Sequence, residues 1–247
     1  YPCDFTYSTI SSAISASVSS DKIIVGDNGS VTYPIINYTN QTLYINGKNL
    51  VFFPDTGLAV RISSGGTGQP LFALISSTFE ISSFDRLLSI TNAATISAHN
   101  SNVTIKKVKS IKATYNNAIW ARTNSFVYVD NSVINDSNKG FYLTDSADIE
   151  VTNTILSRNT YAFYVTGSTT SVVTNSKIEQ NTNIAYVAGN NKGYFENNTF
   201  YSNRSGIRQA GNSSTSNELN FHNNLFTLNG YSLATTPLIE AAGVNNK

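Results

Sequence analysis

Phe195–Asn203 reads FENNTFYSN, and Phe221–Asn229 reads FHNNLFTLN. Each stretch carries an Asn pair, a Phe three residues after its first Asn, and a further Asn three residues later. Asn is a poor helix former and is depleted in strands, so its recurrence needs a structural reason. Working outward, Asn131, Asn153, Asn175 and Asn197 are spaced by 22 residues, and Asn223 follows after 26, which implies a four-residue insertion. An apolar residue stands three positions after each (Ile134, Leu156, Ile178, Phe200, Phe226) and two before each (Val129, Val151, Val173, Phe195, Phe221). Asn159, Asn181, Asn203 and Asn229 come six positions after the last four.

A second block keeps the same period. Ile119, Phe141, Phe163, Ala185 and Ile207 are 22 apart, and just ahead of them stand Ala118, Gly140, Ala162, Ile184 and Gly206, read as bend residues. Each repeat thus holds about three short segments that alternate by two, separated by turns. That period is too short for two helices and a loop, so it predicts a solenoid of strands, coil stacked on coil. Equivalent positions then recur every ~4.8 Å. Asn at a bend tolerates left-handed backbone angles, and stacked amides bond from coil to coil. The Asn columns are read as structural rather than catalytic.

The pattern G-I/F-x-L/V followed by V-x-V-x-N-N-x-F-x-x-N, clearest from 118 to 229, resembles the repeat of right-handed parallel β-helix proteins of the pectate-lyase-like and surface-adhesin kind. TLYINGKNLVFF (42–53) and DKIIVGDNGSVTY (21–33) also look like coils of such proteins. The resemblance implies an all-β, single right-handed parallel β-helix. It leaves function open, because lyases, hydrolases, epimerases, phage spikes and adhesins share the fold.

One domain over 1–247 is expected: an N-terminal cap (1–20), irregular coils (21–110), regular 22-residue coils (111–231) and a C-terminal end (232–247). Dividing the 247 residues by 22 gives about eleven coils. Within 54–110, LFALI, LLSITN and VTIKKV are expected strands. Ile10, Ala13, Ile14 and Val18 recur at helical spacing, which predicts a short amphipathic helix over the first coil with Thr6 or Ser8 near its N-cap.

Charge is sparse: 16 Lys and Arg against 15 Asp and Glu, a net of +1. No basic field invites nucleic acid, and no apolar run approaches the roughly 20 residues of a membrane span. With 14 Tyr and 13 Phe the chain can bury a core. The single cysteine, Cys3, cannot form an internal disulfide, and the absence of Met fits a processed chain or a fragment. The Ser/Thr/Asn-rich, weakly charged composition suggests a secreted or cell-surface protein. Oligomeric state is left open.

Alternation in the first strand of each repeat turns 119, 141, 163, 185 and 207 inward, with Ala121, Leu143, Val165 and Val187. Trp120, Tyr142, Tyr164, Tyr186 and Arg208 then point outward in one file, beside a second row of Arg122, Thr144, Thr166, Ala188 and Ala210. Exposed aromatic faces stack on sugar rings, and a linear file suits a linear polymer. Ligand binding is therefore assigned to Trp120, Tyr142, Tyr164, Tyr186 and Arg208. The simpler reading is that the rings only stabilise coil pairing.

Acid–base chemistry is poorly provided for. Asp130 and Glu196 share a column but lie three coils apart, about 14 Å at the strand spacing, beyond the reach of a glycosidase pair. Asp148 and Glu150 fall on a scattered polar face. Asp136 and Arg158 match as a surface ion pair. Neither His99 nor His222 has a second His at metal-ligand spacing. The expectation is a non-catalytic extracellular module or adhesin that binds polysaccharide or a cell-surface glycan or protein, without a cofactor. The alternative is a polysaccharide lyase or glycoside hydrolase using Arg208, Asp145 and Arg122, the one case in which calcium is expected. A structural spike is a third reading.

Overall fold

Asp148–Thr152 (DIEVT) shows how each strand forms: Ile149 and Val151 are buried while Asp148, Glu150 and Thr152 face out. One short segment of this kind cannot satisfy its own backbone, so it pairs with the coils on either side. In the computed structural model, which describes residues 5–26, 35–65, 68–210, 217–230 and 239–241, this pairing builds a parallel solenoid with three faces. Each face is a nine-stranded parallel sheet. Face A runs from Lys22–Val25 to Glu218–His222, face B from Ile35–Gln41 to Leu225–Thr227, and face C from Leu43–Asn46 to Ile239–Ala241. One core fills the space between them, and Phe52, Phe72, Phe79, Phe84, Phe141, Phe163 and Phe200 are its largest fully buried side chains.

Nine strand layers, not eleven, follow because the early coils are longer than 22 residues. Lys22 pairs with Val51 and Asn49 with Thr78. Ser77 and Ser101, then Ser101 and Ser125, are linked at a separation of 24. The helix at the front adds length without adding a layer. Strands Phe72–Ile75, Arg86–Ser89 and Asn102–Lys106 take the places expected for LFALI, LLSITN and VTIKKV. These strands join the same three sheets, at separations that run from 29 (Asn49 to Thr78) through 25 (Arg61 to Arg86) and 24 (Phe72 to Ile96) to 23 residues (Ser97 to Trp120). Most of DKIIVGDNGSVTY beyond Gly26 lies outside the described residues, as does Cys3.

The two Asn columns do different jobs. Asn131, Asn153, Asn175, Asn197 and Asn223 hold φ between +47° and +55°, the left-handed bend that turns the chain from face A to face B. The residue after each points inward and forms the ladder: Ser176 N–H donates to Asn198 Oδ1 (2.9 Å), and Asn198 N–H to Asn224 Oδ1 (2.9 Å). A parallel ladder at the next corner uses Ser137, Asn159, Asn181, Asn203 and Asn229. A third ladder, at the corner between faces C and A, runs through Ser77, Ser101 and Ser125 and later through Thr169, Asn191 and Asn217. In the earlier coils Ser83 (φ +65°) and Lys107 (φ +55°) make the A-to-B bend that Asn makes later.

Ala118, Gly140, Ala162, Ile184 and Gly206 are not bend residues. They are buried inside the strands of face C. A Cβ on Gly140 would come within 2.7 Å of the Ala162 carbonyl oxygen, so close packing of coils demands the small side chain.

The front of the solenoid is covered by helix α1 (Ile10–Ala16), which buries Ile10 and Ile14. Thr9, rather than Thr6 or Ser8, is the N-cap, because Ser12 N–H donates to Thr9 Oγ1 (3.0 Å) and Ser12 completes a capping box. Val18 lies past the helix and is exposed. Lys48 closes the other end: its Nζ donates to the carbonyls of Ile14 (2.6 Å), Ser15 (3.2 Å) and Ser17 (2.8 Å). An ammonium there satisfies carbonyls that the helix leaves orphaned.

Candidate functional site

Face C carries the file expected from the sequence. Strand Asn117–Arg122 turns Ala118, Ile119 and Ala121 inward and Trp120 and Arg122 outward. Register pairs Trp120 with Tyr142, Tyr142 with Tyr164, Tyr164 with Tyr186 and Tyr186 with Arg208. The nine inward positions of this block are buried.

Ring orientation changes what the file offers. Trp120 and Tyr142 stack at 5.9 Å and 16°, and Tyr164 and Tyr186 at 4.7 Å and 20°. Tyr142 meets Tyr164 edge-on at 5.5 Å. Rings that cover one another's faces leave chiefly edges and hydroxyls for solvent. The flat sugar-on-ring contact expected from alternation alone is largely taken up by ring-on-ring contact. Cations occupy more of the ring surface: Arg122 lies 4.5 Å from the Trp120 centroid, and Lys139 Nζ is 4.9 Å from both Tyr142 and Tyr164. Burial holds the Lys139 ammonium below its usual pKa. Burial, with the neighbouring tyrosines, raises the phenol of Tyr164.

The column does not continue evenly past Trp120. The next outward positions are Ser97, Ala73 and Tyr44. Two small side chains between Tyr44 and Trp120 leave a cavity of about 440 Å³. Corner segments Gly68–Pro70 and Asn92–Ala94 wall one side, with Asn116 and Asn117; His99, Ile75 and Arg122 stand at the other. The corner is held by Asn116 Nδ2, which donates to the Asn92 carbonyl (3.1 Å). The volume falls in the range of small-molecule sites.

Six buried side-chain polar atoms lack a partner among the described residues, and four belong to this lining: His99 Nδ1, Asn117 Oδ1, Trp120 Nε1 and Arg122 Nε. An orphaned buried polar group costs about 1–3 kcal/mol. Four of the six thus belong to residues around one cavity.

Of the residues proposed from the sequence, Trp120, Tyr142 and Arg122 line the cavity, while Tyr164 and Tyr186 extend the file away from it. Arg208 is exposed at the far end of the file, and Asp145 is exposed at the bend after strand Lys139–Leu143. Arg122, Arg208 and Asp145 are not brought together: four strand spacings, about 19 Å, separate the two arginine strands. Asp136 and Arg158 form the expected pair, with Nε–Oδ1 at 2.7 Å and Nη2–Oδ2 at 3.1 Å. His222 Nδ1 faces Glu196 at 3.3 Å. Calcium takes oxygen ligands, carboxylates above all. No Asp or Glu lines the cavity, and no group of three or more His, Cys, Asp or Glu converges among the described residues, so the lining does not fit calcium.

His99, weighed in the sequence only as a metal ligand, lines the cavity. Its signal lay in the 23-residue spacing of that coil, which sets it beside Arg122. No helix among the described residues is long and apolar enough to cross a membrane.

No curated protein and no solved structure matches the chain. The sequence model described as "Right handed beta helix region" matches residues 92–241. With more than half of the chain matched and three parallel sheets wound around one core, the protein belongs to the right-handed β-helix family.

Proposed function

We propose that face C binds a glycan, seated in the cavity between Tyr44 and Trp120 and running along the hydroxyl-bearing ring edges of Tyr142, Tyr164 and Tyr186. The observation that carries this reading is the coincidence of the cavity with four unpartnered polar groups and the end of the aromatic file. Concave sites lined by aromatic side chains with a few convergent polar groups are the usual form of a ligand site. The sparse charge and the hydroxyl- and amide-rich composition support an extracellular or cell-surface setting, as for an adhesin. A glycan array tests the reading: binding is expected, and it is expected to fall at least tenfold in Tyr142→Ala with Tyr164→Ala. Absence of any array signal would overturn it. A reducing-end release assay on the bound glycan distinguishes binding from turnover.

A structural stalk is the second reading, favoured by the face-to-face pairs Trp120–Tyr142 and Tyr164–Tyr186. Under it, the double tyrosine substitution lowers stability by about 1–2 kcal/mol, the worth of such ring pairs, and affects nothing else.

A further inference from the structure

Trp120, Tyr142, Tyr164 and Tyr186 form an unbroken run of ring contacts, with centroids 5.9, 5.5 and 4.7 Å apart, and Tyr161 joins Tyr164 at 5.2 Å. Indole and phenol rings give up a single electron more readily than most side chains. An electron vacancy placed on one of these rings passes along contacts this short. It comes to rest on tyrosine, because a phenol that loses an electron also sheds its proton and is left as a neutral phenoxyl radical. Lys139 Nζ, 4.9 Å from both Tyr142 and Tyr164, opposes a lasting positive charge on either ring and so favours that proton loss. The rings are only half-buried, and water at their hydroxyl edges takes the proton.

Tyr164 and Tyr186 differ from the other pairs in the file. They are register partners on adjacent parallel strands, so both side chains leave the sheet in one direction, one strand spacing of ~4.8 Å apart. Their rings are the closest of the run and lie 20° from parallel. Near-parallel rings that leave their strands together bring like edges side by side. Tyr142 and Tyr161 instead meet Tyr164 at 76° and 86°, which aims a ring edge at the middle of its neighbour. Tyr194 on face A is more exposed but stands alone: its register partners are Val172 and Asn220, neither of them aromatic.

We propose that Tyr164 and Tyr186 are an oxidative cross-linking site, at which two equivalents of a one-electron oxidant join the rings carbon to carbon as a dityrosine that staples adjacent coils of face C. Each phenol gives one electron to the oxidant and its O–H proton to water. The two phenoxyl radicals couple at the ring carbons beside their oxygens; the hydrogens on those carbons leave and the oxygens regain theirs. One C–C bond forms and two C–H bonds break. The pair ends two hydrogen atoms lighter, with two electrons on the oxidant and two protons in water. Burial, with the neighbouring tyrosines, raises the Tyr164 phenol, so it is the protonated phenol that reacts. A chain with a single cysteine cannot make an internal disulfide, and this link constrains the unfolded chain in the same way. The site is independent of what the cavity binds.

The intact chain, dilute enough to keep molecules apart, is illuminated with tris(bipyridyl)ruthenium(II) and pentaamminechlorocobalt(III) as electron sink, then digested with trypsin for mass spectrometry. Cleavage after Lys139, Arg158, Lys177 and Lys192 places Tyr142, Tyr164 and Tyr186 in separate peptides, 140–158, 159–177 and 178–192. The principal product is expected to join 159–177 to 178–192, two hydrogen atoms below the summed mass, with dityrosine emission. Tyr164→Phe and Tyr186→Phe keep the stacked ring, and with it the fold, and are each expected to abolish this product. Tyr161→Phe and Tyr194→Phe are expected to retain it. A principal link between 140–158 and 159–177, links between separate chains alone, a product that survives Tyr186→Phe, or no link at all would overturn the site. The glycan reading stands or falls separately, on the array.

Discussion

Asn181 Oδ1 accepts two hydrogen bonds from Asn159, one from its backbone N–H (2.9 Å) and one from its side-chain amide (3.1 Å), while Asn181 Nδ2 donates to the Leu156 carbonyl (3.0 Å). Asn203 treats Asn181 in the same way, and Asn229 treats Asn203 likewise. Each amide therefore closes a corner that the strands leave open. Asn181→Ala strands the Asn159 N–H and the Leu156 carbonyl in the interior and is expected to cost about 2–3 kcal/mol. Its neighbour Gln180, at φ +54°, is expected to accept Gly within about 1 kcal/mol. Urea denaturation of the two variants checks the contrast; similar midpoints would show that the ladder is not what holds the corner.

Gly189 sits over Gly167 with φ +111°, and a Cβ there would lie 2.2 Å from the Gly167 carbonyl oxygen. Backbone cannot move aside as a side chain can. Gly189→Ala is expected to lower stability by more than about 2 kcal/mol. Gly47→Ala meets nothing within 4 Å and carries only the strain of φ +64°, about 1 kcal/mol. Thermal unfolding of both variants separates collision from strain.

Lys48 bonds three carbonyls at the end of helix α1. Lys48→Met keeps the apolar stem and removes the donors. Hydrogen exchange within Ile10–Ala16 is expected to accelerate at least tenfold, equivalent to about 1.4 kcal/mol or more. Exchange in the coils beyond residue 118 is expected to stay unchanged. A uniform acceleration would show that the helix is coupled to the whole stack.

Asp85 receives a hydrogen bond from Arg61 Nε (2.5 Å) and lies 3.4 Å from Lys109 Nζ. The Arg61 hydrogen bond, against the opposing effect of burial and with help from both positive charges, holds the Asp85 carboxyl below its usual range. A depressed folded pKa contributes stability that is present above the unfolded value, about 3.9, and lost as pH falls through the folded value. Asp85→Asn is expected to cost about 1 kcal/mol at neutral pH, a modest figure because Arg61 remains a third exposed and water screens the pair. The gap between the two proteins is expected to narrow below about pH 4. A gap that stays constant with pH would mean the charge contributes nothing.

The solenoid and the inward side chains of face C were legible from residue spacing, because alternation by two and stacking by coil determine both. The earlier, longer coils were not, since Ser83 and Lys107 make the left-handed bend from face A to face B where later coils use Asn, and leave no Asn rhythm to read. The aromatic file was legible as a file. Alternation fixes which side of a sheet a ring occupies and says nothing about its tilt, so the mutual stacking of Tyr164 and Tyr186 had no signal. The cavity was hidden for a related reason: it is made by what Ala73 and Ser97 lack, and those positions join the Trp120 column only once the longer period is known.

The last long coil draws a more general consequence. Asn191 and Asn217, Asn198 and Asn224, and Asn203 and Asn229 keep their vertical bonds although 26 residues separate each pair where the preceding coils use 22. All the extra length falls between faces C and A, before Asn217. A fold that keeps its place by vertical neighbours is indifferent to how much thread runs between them. That corner is thus a natural graft point, where new recognition loops can be spliced in without rewriting the scaffold beneath.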